Sequence, residues 1–474
     1  MNGFPTLSTK QYRLAQHYLG RLRSASRAFR SGDENTSYGL KLAEQDWPQI
    51  QQWQAWTAMQ AAQQREAAEL SSAYPFEADE LLDLMLTPQE HRLWRESALA
   101  ASRQLDNPQA ELAHLLALSK VYDHLAHYPA ASECAHEAFA LAQRINDSKG
   151  IARALLILGS LTFMRGNYVE ARAYLEQSLI RFRALANPRE LAETLHILGR
   201  VAFASHQVSQ CSDYLEEAFH LYQQLGDYTR MIAVLYAFRS FSLERGKHLS
   251  IQISEAEHLR VLQQTGDRLG MAEMLARFAV DRRYAGDFAG SDQYERESME
   301  LHRQLGMPRN VAFNLLGLGI SASLQGRYRD SCAFYLEALA IYRQFDLRPR
   351  ISHILGLLAF AYWGLGEAEK TRACLREALP IAHELDYELG LSVGIAAAAA
   401  LYLLDGEAER SARLVGVVDA YPGTHSDVRM FALGTVRRVL EQAFDVETLA
   451  ALIEQGRSLD FDAAVAEIIA ELQA

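Results

Sequence analysis

The sequence has only four cysteines, Cys134, Cys211, Cys332 and Cys374, and no two of them form a C-x-x-C pair. Scattered singly, they argue against a disulfide framework and read as small buried thiols in a reducing compartment. Long apolar runs are missing too. The most apolar stretch, Leu391 to Leu404, is short for a membrane span and is broken by Gly394, which fits a buried helix. Met1 to Lys10 holds no apolar run, so no secretory leader is expected and the protein is read as cytoplasmic. Basic charge is in deficit: 47 Lys and Arg face 59 Asp and Glu, a net charge of -12. That excludes a general nucleic-acid binder, which needs a basic surface, but leaves room for a local basic patch.

What is present is a repeat. Stepping by forty from Gly166 lands on His206, Gly246, Gly286, Gly326, Gly366 and Gly406, and one step back lands on Ala126. A second turn signal keeps the same step, as in Ile145-Asn146-Asp147, Leu225-Gly226-Asp227 and Leu385-Asp386-Tyr387. Between the turns, residues such as Ala171, Tyr174, Leu175, Ser178, Leu179 and Phe182 recur at three and four, the spacing of one helix face. Each unit is therefore helix, tight turn, helix, loop. Small residues stand where paired helices would cross: Gly159, Gly199 and Gly319 before the turn, Ala131, Ala171 and Ser331 after it, then Ala138, Ser178 and Ala338.

Leu198-Gly199, Leu318-Gly319, Gly326-Arg327-Tyr328 and Glu337-Ala338-Leu339 make the chain resemble the tetratricopeptide-repeat family from about residue 112 to 418. The family's usual period is about 34, and the longer step here resembles the sensor arrays of the large ATP-dependent bacterial transcription regulators. The tail Glu454-Gln455-Gly456-Arg457-Ser458-Leu459 through Val465, the segment Ala412 to Gly416, and the front helices around His17-Tyr18-Leu19, Trp47, Trp53 and Trp56 carry the same resemblance. It implies an all-α, right-handed α-solenoid of about eight helical hairpins with helical caps at both ends. The expected divisions are a cap over 1–71, a degenerate hairpin over 72–111, the repeat array over 112–420 and a second cap over 421–474. The regulators' ATPase is absent: the only Gly-Lys pair, Gly246-Lys247, lacks the upstream glycine of a phosphate loop, and no DNA-binding domain fits the rest.

Two motif look-alikes carry no chemistry. Gly317-Leu318-Gly319 and Gly390-Leu391-Ser392-Val393-Gly394 mimic a dinucleotide fingerprint and a nucleophile elbow, but both fall inside repeat helices rather than after a strand. No metal-site pattern and no cofactor are read, and the chain is not expected to be an enzyme.

In the family the first helix of each hairpin lines the concave face. Its inward positions give candidate binding residues: Lys120, Arg153, His196, Arg200, Tyr236, Arg277, Arg283 and Tyr284 in the first five units, then Phe313 and Trp363. The stripe is charged in those five units and lacks Lys and Arg in the last three, so the groove should turn from charged to apolar. The first 32 residues contain Lys10, Arg13, Arg21, Arg23, Arg27 and Arg30 and no acid. Unit four, about 232 to 271, is expected to be an irregular joint, with Arg239 paired to Glu255. The leading functional reading is a protein- or peptide-binding scaffold or sensor, a regulatory or adaptor subunit. The alternative is a small-molecule inducer sensor, and the third is an unrecognised enzyme or effector subunit. Nucleic acid is not expected except through the basic N-terminal helix, and no membrane is expected.

Overall fold

The computed structural model describes residues 7–30, 34–205, 207–227, 267–421 and 428–473, with scattered positions (230, 231, 233, 234, 237, 259, 260, 262, 263 and 424) between them. Arg239, Glu255 and the candidate Tyr236, with most of unit four, lie outside the described residues, as does Gly246-Lys247. The described residues are helical throughout, without a strand, and the helices pack in consecutive pairs.

The order is α1 (Leu7–Arg30), α2 (Glu34–Gln60), α3 (Arg65–Glu77), α4 (Asp79–Met85) and α5 (Pro88–Gln104), then the repeats. These are α6 (Pro108–His124) with α7 (Tyr128–Arg144), α8 (Ser148–Met164) with α9 (Tyr168–Ala184), and α10 (Pro188–Ala204) with α11 (Val208–Gln224). After unit four come α12 (Arg268–Tyr284) with α13 (Phe288–Gln304), α14 (Pro308–Leu324) with α15 (Tyr328–Gln344), α16 (Arg348–Gly364) with α17 (Ala368–Glu384), and α18 (Glu388–Leu404) with α19 (Ala408–Ala420). A π-helical turn (Val428–Leu433), α20 (Gly434–Ala443), α21 (Val446–Arg457) and α22 (Phe461–Gln473) close the chain.

From α6 to α18 every described helix is 17 residues long. The cause is a left-handed residue every twenty positions: Asp106, Ala126, Asn146, Gly166, Ala186, and onward to Gly406 at each described step. That residue reverses the chain, and the next N–H returns to the helix just ended, as His127 N–H does to the Tyr122 carbonyl at 2.8 Å. The residue after it caps the next helix, with Asn107, Asp147, Asn167, Asp267 and Asp287 each accepting from a first-turn N–H. The forty-residue sequence repeat is thus two twenty-residue structural steps.

The small residues sit at helix crossings. A Cβ on Gly199 would fall 2.6 Å from Leu215 Cγ. Hydroxyls there bond across the crossing: Ser178 donates to the Ala152 carbonyl (2.9 Å), Ser331 to that of Gly319 (2.9 Å) and Ser352 to that of Ala378 (2.9 Å). Gly416 and Gly456 do the same for the tail, bringing α19 and α21 into backbone contact. At the front, buried Arg95 on α5 donates to His91 (3.0 Å), lies 3.2 Å from His114 on α6 and pairs with Asp79 on α4, tying the cap to the array. Arg21 and Arg23 of the basic N-terminal helix pair with Asp46 (2.5 Å) and Glu77 (3.0 Å).

The array winds back on itself. Arg309 Nη1 on α14 donates to Asp123 Oδ1 on α6 at 2.9 Å, across 186 residues of chain. Similarly, a Cβ on Gly166 would lie 2.9 Å from Pro349 Cγ and 3.6 Å from the Leu385 methyls. The apolar cores of the first repeats and of repeats six to eight merge into one cluster, from Leu112 and Leu158 to Val311, Leu347 and Leu391.

Candidate ligand-binding interior

Closing the turn brings together arginines that are far apart in sequence. Arg200 comes from the last turn of α10, Arg277 from the middle of α12, and Arg309 and Arg350 from the first turns of α14 and α16. All four are half-buried: walls of protein surround them, yet each keeps part of its side chain in contact with solvent inside the turn. Arg277 lies 3.7 Å from Glu273, and Arg309 holds Asp123. Neither Arg200 nor Arg350 has a carboxylate within salt-bridge distance among the described residues; Arg200 rests on the Phe163 ring at 4.9 Å.

The electrostatics report crowding. Burial, then the guanidiniums of Arg350, Arg309 and Arg277, pulls the Arg200 group down to about 10, with Asp123 opposing. Burial and the neighbours Arg200, Arg277 and Arg230 push His196 down to about 3, so its imidazole is neutral at physiological pH. Burial also lowers His124, against the pull of Asp123. Protonating His196 would add a cation where cations already repel.

The other candidates fall in different places. Arg153 grips Glu190 with two N–H groups, at 3.0 and 2.5 Å. Lys120 is exposed, Tyr284 half-buried and Phe313 exposed. Trp363 packs on Phe360 with ring centres 5.0 Å apart. Arg283 is not on the interior surface. It is buried in the hairpin, where its Nη2 donates to Glu295 Oε1 at 2.7 Å. Nor does the interior become wholly apolar in the later repeats, because Arg309 and Arg350 stand there while Leu316 and Phe360 are buried. Both arginines escaped the inward-stripe count because they lie in the first helical turn, ahead of the frame in which it was made. The available signal was arginine beside a helix-starting proline, in Pro308-Arg309 and Pro349-Arg350.

Three other classes of chemistry find no support. The thiols are held above their usual range by burial, with Cys134 and Cys332 up to about 11 and Cys211 and Cys374 up to about 12. Among the described residues no His, Cys, Asp and Glu group is arranged to hold a metal ion, and no helix is long and apolar enough to cross a membrane. A surface depression of about 350 Å³ around Gly326, Tyr328 and Leu365 is lined by none of the four arginines.

Family models described as tetratricopeptide repeat match residues 151–189 and 310–384. These are tetratricopeptide repeats. No curated protein matches the sequence. Among solved structures the chain is similar to a Signal Transduction ATPase with Numerous Domains protein with a tetratricopeptide repeat sensor from Pyrococcus horikoshii, at 13% identity and a TM-score of 0.38, over 74% of this chain. This chain spans 55% of that protein's length. It is also similar to a Rap protein complexed with competence and sporulation factor (14%, TM-score 0.38, 86% of this chain and 99% of that one). The quorum sensor NprR from B. thuringiensis, in its apo form, gives 13%, a TM-score of 0.36, and 85% and 98% coverage. None of these scores is high enough to carry a partner or an activity over to the tetratricopeptide array.

Proposed function

We propose that the chain is a binding scaffold whose interior receives an acidic segment of a peptide or protein, and that it serves as a regulatory or adaptor subunit. The observation that carries this reading is the meeting of Arg200, Arg277, Arg309 and Arg350 inside one superhelical turn, two of them without a carboxylate partner among the described residues. Like charges held together in a walled, partly desolvated space favour an incoming anion. Each charge-assisted hydrogen bond to it contributes roughly 1.5–3 kcal/mol. The second reading is a small anionic inducer, which the closing contact between Arg309 and Asp123 favours because it encloses the space.

The test is fluorescence anisotropy with a labelled oligo-glutamate peptide against an oligo-lysine control. The acidic peptide should bind, more weakly as salt rises, and the basic one should not. The double substitution Arg200→Glu with Arg277→Glu should weaken binding by about tenfold or more, roughly 1.4 kcal/mol. The melting temperature should barely move, since neither side chain is in the core. Equal affinity for both peptides, or an unchanged affinity in the double variant, would sink the reading.

A further inference from the structure

The seam where the array meets itself has an unusual hydrogen-bond inventory. On one side is the turn of the second repeat, Gly166 to Tyr168. On the other are the start of α16, with Pro349 and Arg350, and the loop Leu385 to Tyr387. The Gly166 contacts with Pro349 and Leu385 fix these three segments against one another. Tyr168, Arg350 and Tyr387 each stand within two residues of a contact atom, and Tyr342, almost fully buried near the end of α15, lies in the field of Arg350 and Tyr387. Arg350 lies in the electrostatic field of all three phenols and of Arg309.

Every one of these groups can donate. A guanidinium has five N–H donors and accepts nothing, whereas a protonated phenol both donates and accepts. Burial holds the phenols of Tyr168, Tyr342 and Tyr387 above their ordinary value, so they keep their protons at neutral pH. None of the three hydroxyls has a hydrogen-bond partner among the described residues, and Arg350 has no acid there. One nearby acid, Asp386, is exposed and acts on Tyr168 and Tyr421. A half-buried guanidinium with no carboxylate beside it among the described residues, ringed by hydroxyls that make no hydrogen bond there, is a place where an anion's oxygens gain several partners at once.

We propose that this seam is an oxyanion site that takes a phosphoryl group between Arg350 and the hydroxyls of Tyr168, Tyr342 and Tyr387, and that occupancy latches the superhelical turn shut. The proposal rests on the interior being an anion receptor and fixes where the ligand's strongest charge goes. A phosphoryl dianion suits the site better than a carboxylate. Its three free oxygens meet a guanidinium fork and several hydroxyls at once, and its second charge offsets Arg309 or Arg200 nearby. The latch follows from connectivity: Tyr168 belongs to the second repeat, Arg350 to the seventh and Tyr387 to the loop before α18, so one ligand joins parts that chain connectivity leaves apart.

The experiment uses the full chain and three probes: inorganic phosphate, ribose 5-phosphate, and an acidic peptide with or without one phosphoserine. Inorganic phosphate should raise the melting temperature above that in sodium chloride of equal ionic strength, and should reduce the radius of gyration in small-angle scattering. The phosphopeptide should bind at least tenfold tighter than its serine twin. In Arg350→Gln that ratio should fall to about one, and in Tyr168→Phe with Tyr387→Phe it should fall severalfold. Arg350→Lys, which keeps the charge and loses the fork, should lie between. Ribose 5-phosphate binding as tightly as the phosphopeptide assigns the site to a free phosphorylated molecule; a large preference for the peptide assigns it to a modified partner. A phosphate-independent affinity, or a phosphate gain that persists in Arg350→Gln, overturns the site. An unaltered radius of gyration overturns the latch. Failure of the unmodified acidic peptide to bind, with phosphate still binding through Arg350, would end the broader reading and leave this one standing.

Discussion

At the scale of single residues, the informative feature is a buried carboxylate. Glu295 is fully buried between α12, α13 and α14. Arg283 donates to one of its oxygens at 2.7 Å and Asn314 to the other at 2.8 Å, while His302 lies 2.8 Å from the Asn314 oxygen. A side chain on Gly317 would displace this carboxylate. Without Arg283 the buried carboxyl loses a donor and takes up a proton, so Arg283→Ala should cost roughly 1–3 kcal/mol in a denaturation experiment. Adding Glu295→Gln to it should recover part of that loss; no recovery would mean that the unpartnered carboxyl is not the cause. Burial pushes the Glu295 carboxyl up to about 7 against the pull of Arg283 and Asn314. The folded chain therefore holds a proton that the unfolded chain releases. This group's contribution to stability is full below the ordinary carboxylate range and is lost as pH rises through about 7. Glu295→Gln should flatten stability between pH 5 and 8, and a slope unaltered by it would refute the shift. The sequence placed Arg283 on the inward stripe by counting. The signal for its true place was Glu295, an acid twelve residues on at a position apolar in most units, which draws that arginine into the hairpin.

At the scale of the helix and its turn, the twenty-residue step makes a testable demand. Ala186 sits in the left-handed region at φ 48° and is exposed, so only its backbone is at issue. A side chain there costs roughly 1–2 kcal/mol, part of which glycine gives back through its freer unfolded state. Ala186→Gly should therefore stabilise the chain by about 0.5–1 kcal/mol in urea denaturation. A loss would mean that the turn is not strained. The forty-residue period was legible because six of eight turn positions are glycine, and the crossings were legible because they take Gly, Ala and Ser. The finer step was partly visible in the loop signals at Asn146, Gly226 and Asp386, but Ala126 and Ala186 take the left-handed conformation without glycine's freedom and so gave no signal of their own. The helix starts at Pro308 and Arg348 were hidden too, and Arg309 and Arg350 with them. Periodicity locates the middle of a helix better than its ends.

At the scale of the whole molecule, closure was not legible at all. It depends on the small rotation each repeat adds to the last, and no short motif encodes a sum of rotations. Arg309 and Asp123 report it. Arg309→Ala should open the turn and raise the radius of gyration in solution scattering, with Asp123→Ala giving the same change and the double variant no more than either. A radius unaltered in both would mean that the apolar seam closes the turn unaided. Stacked repeats usually owe their stability to nearest neighbours alone. Here contacts across 186 residues couple the first repeats to the sixth and seventh, so unfolding should be more cooperative than in an open array.

That contact also bears on how such a chain can change over generations. Tandem repeats are readily gained and lost by unequal duplication, and an open solenoid absorbs the change as extra length. A rung added between Asp123 and Arg309 would carry the arginine past its partner and set Tyr168 against a different loop. The copy number of this array is therefore fixed by a geometric condition, the number of rungs in one revolution. Point substitution, not duplication, is the route by which its interior can acquire a new ligand.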